Sequence, residues 1–206
     1  MFKYLLLAAL PLTLAAPTVA AVVTTLPGGT ALVIPKTEQL NFAGPATIAP
    51  GVTFESTVGS AYGYTGGYGF GTNGSWEEVI PMIGLDRADG SFEIRFDDAI
   101  SGFLGELNWT TGSAADSTIA AYDSAGILLE LLRLEDSTGN LVGPGFYGFK
   151  RSSADISSIR FSEEFIGVRN ITLAAVVPEP ASWVLLITGF AMTGAAMRRR
   201  KVSLAA

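Results

Sequence analysis

The chain has 206 residues, with 13 Lys and Arg against 19 Asp and Glu, so its net charge at pH 7 is -6. It contains no cysteine and no histidine, which excludes cysteine nucleophiles, Ser-His-Asp triads and nearly every zinc site. The negative charge also argues against a nucleic-acid partner, because such binding depends on cationic contacts to phosphates.

The first 21 residues have the three-part pattern of a secretory signal peptide. A short basic start at Lys3 is followed by a mostly apolar run over residues 5–14 and by small residues over 15–21. Pro11 interrupts the run, which is also too short to span a bilayer. We therefore expect residues 1–21 to direct export, with cleavage after Ala20 or Ala21.

Residues 22–176 form the body of the chain, which we predict to be one exterior domain. This stretch holds eight Lys or Arg and 18 Asp or Glu, a net charge of about -10. It is long enough to hold together by core packing without disulfides. No cofactor is expected, although an acidic surface leaves loose binding of divalent cations such as calcium open.

The first half of the body is rich in proline and glycine. Prolines break residues 22–50 into short apolar pieces, which predicts irregular strands at a sheet edge. Residues 59–76 combine many glycines with tyrosines and show no apolar period, which predicts a long loop. Flat amphipathic rings in that loop are candidates for stacking on sugars: Tyr62, Tyr64, Tyr68 and Trp76.

From Ser91 onward the pattern is that of β-strands. Phe92, Ile94 and Phe96 alternate with charged residues, as in a strand with one buried face. Further short runs, separated by glycine turns, lie at residues 105–110, 117–122, 127–134, 146–150, 156–162 and 165–173. Residues 127–134 would suit a helix equally well, but their length favours a strand. The spacing predicts an all-β domain, an antiparallel β-sandwich.

The acidic residues give no catalytic or metal site by spacing. Asp97 and Asp98 are adjacent, and adjacent strand residues point to opposite faces, so a solvated strand end is the better interpretation. Asp86 to Gly90 lacks the alternating acids of a calcium loop and reads as a turn. We name no catalytic residue and no metal ligand.

The C-terminal segment, residues 177–201, has three parts in a fixed order. Pro178-Glu179-Pro180 is stiff and non-helical, because each proline fixes its φ angle. Residues 181–197 carry no charge and would span about 25 Å as a helix, the short end of a bilayer crossing. Trp183 lies where an interfacial aromatic belongs. A basic cluster then stops transfer and stays cytoplasmic with the short end 202–206: Arg198, Arg199, Arg200 and Lys201.

These three parts together resemble the PEP-CTERM sorting tail of Gram-negative bacteria. The resemblance covers residues 177 to about 201. It implies recognition by an exosortase, a membrane protease, at or near Pro178-Glu179-Pro180. It also implies transient anchoring in the inner membrane, then a place on the cell surface or in the extracellular matrix, in the setting of exopolysaccharide and biofilm formation.

Residues 75–173 resemble the jelly-roll modules, similar to carbohydrate-binding sandwiches, that often precede such tails. The likeness rests on the segments 121–126, 146–149 and 156–161. Those modules commonly carry an acidic pair on the last strand, where this chain has Arg169 and Asn170.

Three hypotheses follow for the body. The first is a non-enzymatic surface or matrix protein. The second is a carbohydrate-binding module that retains exopolysaccharide through the tyrosine-rich segment. The third, a carboxylate-dependent polysaccharide hydrolase, is disfavoured: it needs two carboxylates facing each other across a cleft, an arrangement that the sequence does not show.

Overall fold

A computed structural model describes residues 21–77, 79–111, 117–134 and 143–175, together with residues 187, 188, 190 and 191. Within these residues sixteen strands and one short 3₁₀ helix follow in chain order. They are β1 (Ala21–Val23), β2 (Thr30–Leu32), β3 (Gln39–Phe42), β4 (Ala46–Ala49), β5 (Val52–Ser56), β6 (Ser60–Tyr64), β7 (Tyr68–Gly69), the 3₁₀ helix (Gly71–Asn73), β8 (Ser75–Trp76), β9 (Met82–Leu85), β10 (Ser91–Ile100), β11 (Gly102–Asn108), β12 (Thr118–Tyr122), β13 (Leu128–Arg133), β14 (Gly145–Lys150), β15 (Ile156–Ser162) and β16 (Gly167–Ala174).

The described strands pair antiparallel in two large sheets and one small hairpin. The first sheet, sheet A, has the order β1-β14-β11-β16-β9-β6-β3, with β2 beside the second half of β16. The second, sheet B, has the order β13-β12-β15-β10-β5-β4. The hairpin is β7-β8. The prediction of an all-β, antiparallel domain is confirmed.

The two sheets pack face to face around one apolar core. Phe103 of sheet A meets Phe161 of sheet B edge to face, with ring centroids 5.8 Å apart. Phe161 in turn stacks on Phe92 at 4.5 Å. Rings of this size each remove a large apolar area from water, worth about 1.5–3 kcal/mol per side chain. This layer gives the domain its sandwich character.

Strand β10 shows how the sequence pattern sets the sheet. Phe92, Ile94 and Phe96 are 1%, 0% and 6% exposed, so they point into the core as the alternation predicts. Arg95 between them faces solvent. The composition of residues 127–134 is compatible with a helix or a strand. In the structure they contain the edge strand β13.

The glycine- and tyrosine-rich segment differs from its prediction. In place of a long loop, Ser60–Tyr64 form β6 inside sheet A, and the rest folds back as the β7-β8 hairpin. The hairpin packs Phe70 and Trp76 against Ala61 and Met82. Strand β6 is therefore covered on both faces, and a strand covered on both faces shows no polar alternation.

Glycine makes this close packing feasible at one position in particular. A Cβ atom at Gly167 would lie 3.0 Å from Phe70 Cζ and 3.1 Å from Trp76 Cζ3. The absence of a side chain on β16 therefore lets the hairpin rings approach the sheet backbone.

The predicted signal peptide and membrane helix fall largely outside the described residues. Only residues 187, 188, 190 and 191 of the tail are described, and they are helical. In the described parts of the chain, no helix has the length and apolar character that a membrane crossing needs.

Candidate functional site

The sorting residues identified from the sequence lie outside the part of the chain that the structure describes. These are Pro178, Glu179, Pro180, Trp183, Arg198, Arg199, Arg200 and Lys201. Their role stays a prediction.

Two of the four candidate stacking rings are buried. Tyr62 is 2% exposed, lies 5.0 Å from the Phe54 ring, and donates a hydrogen bond to the carbonyl of Thr47 at 3.1 Å. Burial raises the pKa of Tyr62 above its usual value. Trp76 is 7% exposed and meets Phe70 edge to face at 4.9 Å. Against the sequence interpretation, neither ring has an open face for a sugar in this structure.

The other two rings are half-buried. Tyr68 donates a hydrogen bond to the carbonyl of Leu85 at 2.6 Å, and burial, reinforced by Asp86, raises its pKa. Tyr64 lies against Gly66, where a Cβ atom would come within 2.5 Å of Tyr64 Cζ. Both rings pack on the cluster formed by the hairpin and sheet A. Their first role is structural, and sugar stacking by their exposed parts stays a prediction.

Arg169 on β16 connects the β7-β8 hairpin to sheet A. Its guanidinium donates two hydrogen bonds to Glu106, at 2.9 and 2.8 Å, and Asn170 adds a third at 2.7 Å. The guanidinium carbon lies 4.4 Å from the centre of the Trp76 ring. The Arg169 hydrogen bonds hold the pKa of Glu106 below its usual value. With these partners, the Arg169 side chain has a structural role.

A row of charged side chains lies on the outer face of sheet B. Glu93 on β10 is opposite Glu55 on β5 and Arg160 on β15. Two residue pairs further along, on the same face, Arg95 is opposite Thr53 and Ser158. Strand pairing thus places three charged side chains in one row across three strands, because opposite residues of an antiparallel pair share a face.

Two adjoining depressions run over this row. One has a volume of about 450 Å³ and reaches Thr57 and Ser91, and the other has a volume of about 510 Å³ and reaches Asp123 and Gly126. Both are lined by Glu93, Arg95 and Arg160, so they form one continuous feature, which we call the sheet B groove.

The charges in the sheet B groove are held by one another. Glu93, whose side chain is only 11% exposed, accepts a hydrogen bond from Arg95 at 2.8 Å and lies 3.5 Å from Arg160. The guanidinium carbon of Arg160 lies 4.7 Å from the centre of the Tyr122 ring. Such pairing fixes the directions of the remaining N–H donors.

Sequence reasoning missed the sheet B groove as a site. The alternation along β10 places Glu93 and Arg95 on the outer face of the sheet, but it does not say which strands lie beside β10. The groove also depends on the strand order, in which β5, β10, β15 and β12 lie side by side. That order joins residues far apart in the chain and leaves no trace in local periodicity.

The acidic motifs that the sequence analysis considered lie in a turn and in strand β10. Among the described residues no group of three or more metal-ligating side chains is close enough together to hold an ion. Asp89 pairs with Arg87 at 3.0 Å within its own turn. Asp97 and Asp98 are both exposed, but they lie inside β10, in the irregular stretch between Arg95 and Ile100, so the prediction of a strand end is wrong.

Comparison of the chain with protein-family models, with curated proteins and with solved structures gives no match.

Proposed function

We propose that this chain is an exported, non-enzymatic protein of the bacterial cell surface or extracellular matrix, sorted by an exosortase through its C-terminal tail. The observation that carries the proposal is the order of the tail: Pro178-Glu179-Pro180, the uncharged residues 181–197, and the basic cluster that begins at Arg198. A basic cluster that stays in the cytoplasm places the body on the outer side of the inner membrane. The N-terminal signal pattern independently predicts export of the body to that same side.

The pairing of β1 bears on the position of signal-peptide cleavage. Ala21 of β1 pairs with Lys150 of β14. Cleavage after Ala20 would keep this pair, whereas cleavage after Ala21 would remove it. We therefore favour the first position. The jelly-roll resemblance belongs to the same proposal, with the body as a jelly-roll-like sandwich.

A binding role for the body fits its chemistry better than a catalytic one. The chain has no histidine and no cysteine, and Glu93 of the sheet B groove is held between two arginines. Both arginines contact the same Glu93 oxygen, so this carboxylate is already engaged in ion pairs. The partners that we propose are an exosortase, the inner membrane during sorting, and exopolysaccharide.

Export can be tested on whole cells with an amine reagent that does not cross the inner membrane. Lys36 and Lys150 are exposed on the sandwich, so we expect both to be labelled in intact cells. A control variant, Leu5→Arg with Leu6→Arg, places charges in the apolar run and should stay unlabelled until lysis. A wild-type protein labelled only after lysis contradicts the proposal.

A further inference from the structure

We propose that the sheet B groove binds a segment of a neutral polysaccharide chain. This inference deepens the proposed function and rests on it, since a body outside the cell is where such a chain is met. It moves the binding face away from the tyrosine-rich segment and onto the outer face of sheet B.

The shape of the sheet B groove suits an extended ligand. Its two halves, about 450 and 510 Å³, each fall within the range of about 300–1,000 Å³ typical of ligand sites. The halves are joined at Arg95 and Arg160 and reach from Thr57 at one end to Gly126 at the other. A linear chain of several sugar units would use this length, and a compact small molecule would not.

The lining offers donors and acceptors side by side. Guanidinium N–H groups of Arg95 and Arg160 donate, and the carboxylates of Glu55 and Asp97 accept. Hydroxyl groups such as that of Ser158 do both. A sugar hydroxyl also donates and accepts, so a neutral polyhydroxylated chain can satisfy this mixture.

The charge balance argues against a charged ligand. Four carboxylates line the sheet B groove against two guanidinium groups, so an anionic polymer meets net repulsion. A cationic polymer would have to pass the two arginines at the centre. The carboxylates are those of Glu55, Glu93, Asp97 and Asp123.

Preorganisation supports binding at this place. Arg160 is held between Glu93, at 3.5 Å, and the Tyr122 ring, at 4.7 Å. Arg95 is held by Glu93 at 2.8 Å and approaches Glu55 at 3.9 Å. Side chains that are already ordered lose less conformational entropy when a ligand arrives, which favours affinity.

The test is a binding titration of the purified full chain in detergent against defined oligosaccharides. The neutral probes are the five-unit oligomers of cellulose, mixed-linkage glucan, laminarin and xylan, with alginate and chitosan oligomers as the anionic and cationic counterparts. We expect saturable binding of at least one neutral oligomer and weaker binding of both charged ones. Preference for a charged oligomer, or binding of none, overturns the proposal.

Two groove variants and one matched control locate the site. Arg160→Ala removes a charged donor, and we expect affinity to fall about tenfold or more, the change that corresponds to one charge-assisted hydrogen bond. Glu55→Gln, at a side chain 59% exposed, should weaken binding without affecting folding, so it serves if Arg160→Ala unfolds. The control, Arg87→Ala, removes an arginine that is also exposed and ion-paired but lies outside the groove.

Binding unchanged in both groove variants overturns the proposal. These results are separable from export, because the titration uses purified protein. If the protein is exported but binds no neutral oligomer, the proposal that the sheet B groove binds polysaccharide is refuted, and the proposal of an exported surface protein is unaffected.

Discussion

The guanidinium carbon of Arg169 lies 4.4 Å from the centre of the Trp76 ring. This contact joins strand β16 of sheet A to the β7-β8 hairpin. The Arg169 nitrogens are at the same time bound to Glu106 on β11. One side chain thus ties together β16, β11 and β8. These contacts give the Arg169 side chain a structural role.

Replacing Arg169 should destabilise the domain. Arg169→Ala removes both hydrogen bonds to Glu106, a partner only 20% exposed, and the contact with Trp76. We expect a loss of about 1–3 kcal/mol in the free energy of unfolding, since a partly buried carboxylate loses its partner. Urea unfolding followed by tryptophan fluorescence measures this change.

The control for that measurement is Arg87→Ala. Arg87 pairs with Asp89, but both side chains are well exposed, at 59% and 71%, so the loss should be about 1 kcal/mol or less. Equal losses in the two variants would mean that Arg169 does not fasten the hairpin.

Because of the ion pair between Glu106 and Arg169, the free energy of unfolding should decrease at acidic pH. The pKa of Glu106 is lowered from its usual 4.5, chiefly by the hydrogen bonds from Arg169. The folded state therefore releases this proton more readily than the unfolded state. The contribution to stability is complete above about pH 4.5 and is lost as the pH falls through the lowered value.

A variant can isolate this contribution. Glu106→Gln should reduce stability at pH 7 and show a smaller further loss between pH 5 and pH 3 than the wild type, measured by urea unfolding at each pH. Arg169→Met, which removes the cause of the shift, should flatten the profile in the same way. If the free energy of unfolding of both variants fell with pH as steeply as that of the wild type, the Glu106–Arg169 pair would not be the cause of the pH dependence.

Gly148 on β14 is a position where even one methyl group should be costly. A Cβ atom there would lie 2.7 Å from the Leu104 Cα on the neighbouring strand β11, and backbone cannot move aside as a flexible side chain can. We expect Gly148→Ala to cost about 1–3 kcal/mol, the usual penalty for overpacking. Thermal or urea unfolding measures it.

Gly67→Ala is the matched control, because a Cβ atom at Gly67 would meet nothing within 4 Å. It should leave stability nearly unchanged. If both alanine variants unfolded at the same denaturant concentration, the close approach of β14 and β11 would be refuted.

Strand β10 could be predicted from the sequence because apolar residues alternate with charged residues along it. Phe92 and Ile94 alternate with Glu93 and Arg95, and such alternation states both the secondary structure and the buried face. Ile156–Ser162 was placed at the bounds that the structure has. Local periodicity is sufficient wherever solvent covers one side of a strand.

The first half of the domain shows where that reasoning fails. Ser60–Tyr64 has buried residues on both faces, so no alternation marked it as a strand. The packing of Phe70 and Trp76 over Gly167 depends on a residue almost a hundred positions away. The sheet B groove was missed for the same reason, since Glu93 and Arg160 meet only through the pairing of β10 with β15.

The mature C-terminus, determined by mass spectrometry, tests the proposal of exosortase sorting most directly. Protein from cells with an active exosortase should end at or near Pro178-Glu179-Pro180 and lack Arg198, whereas protein from cells without the enzyme should keep it. An intact basic end, through Arg198, in both preparations would contradict sorting by this tail.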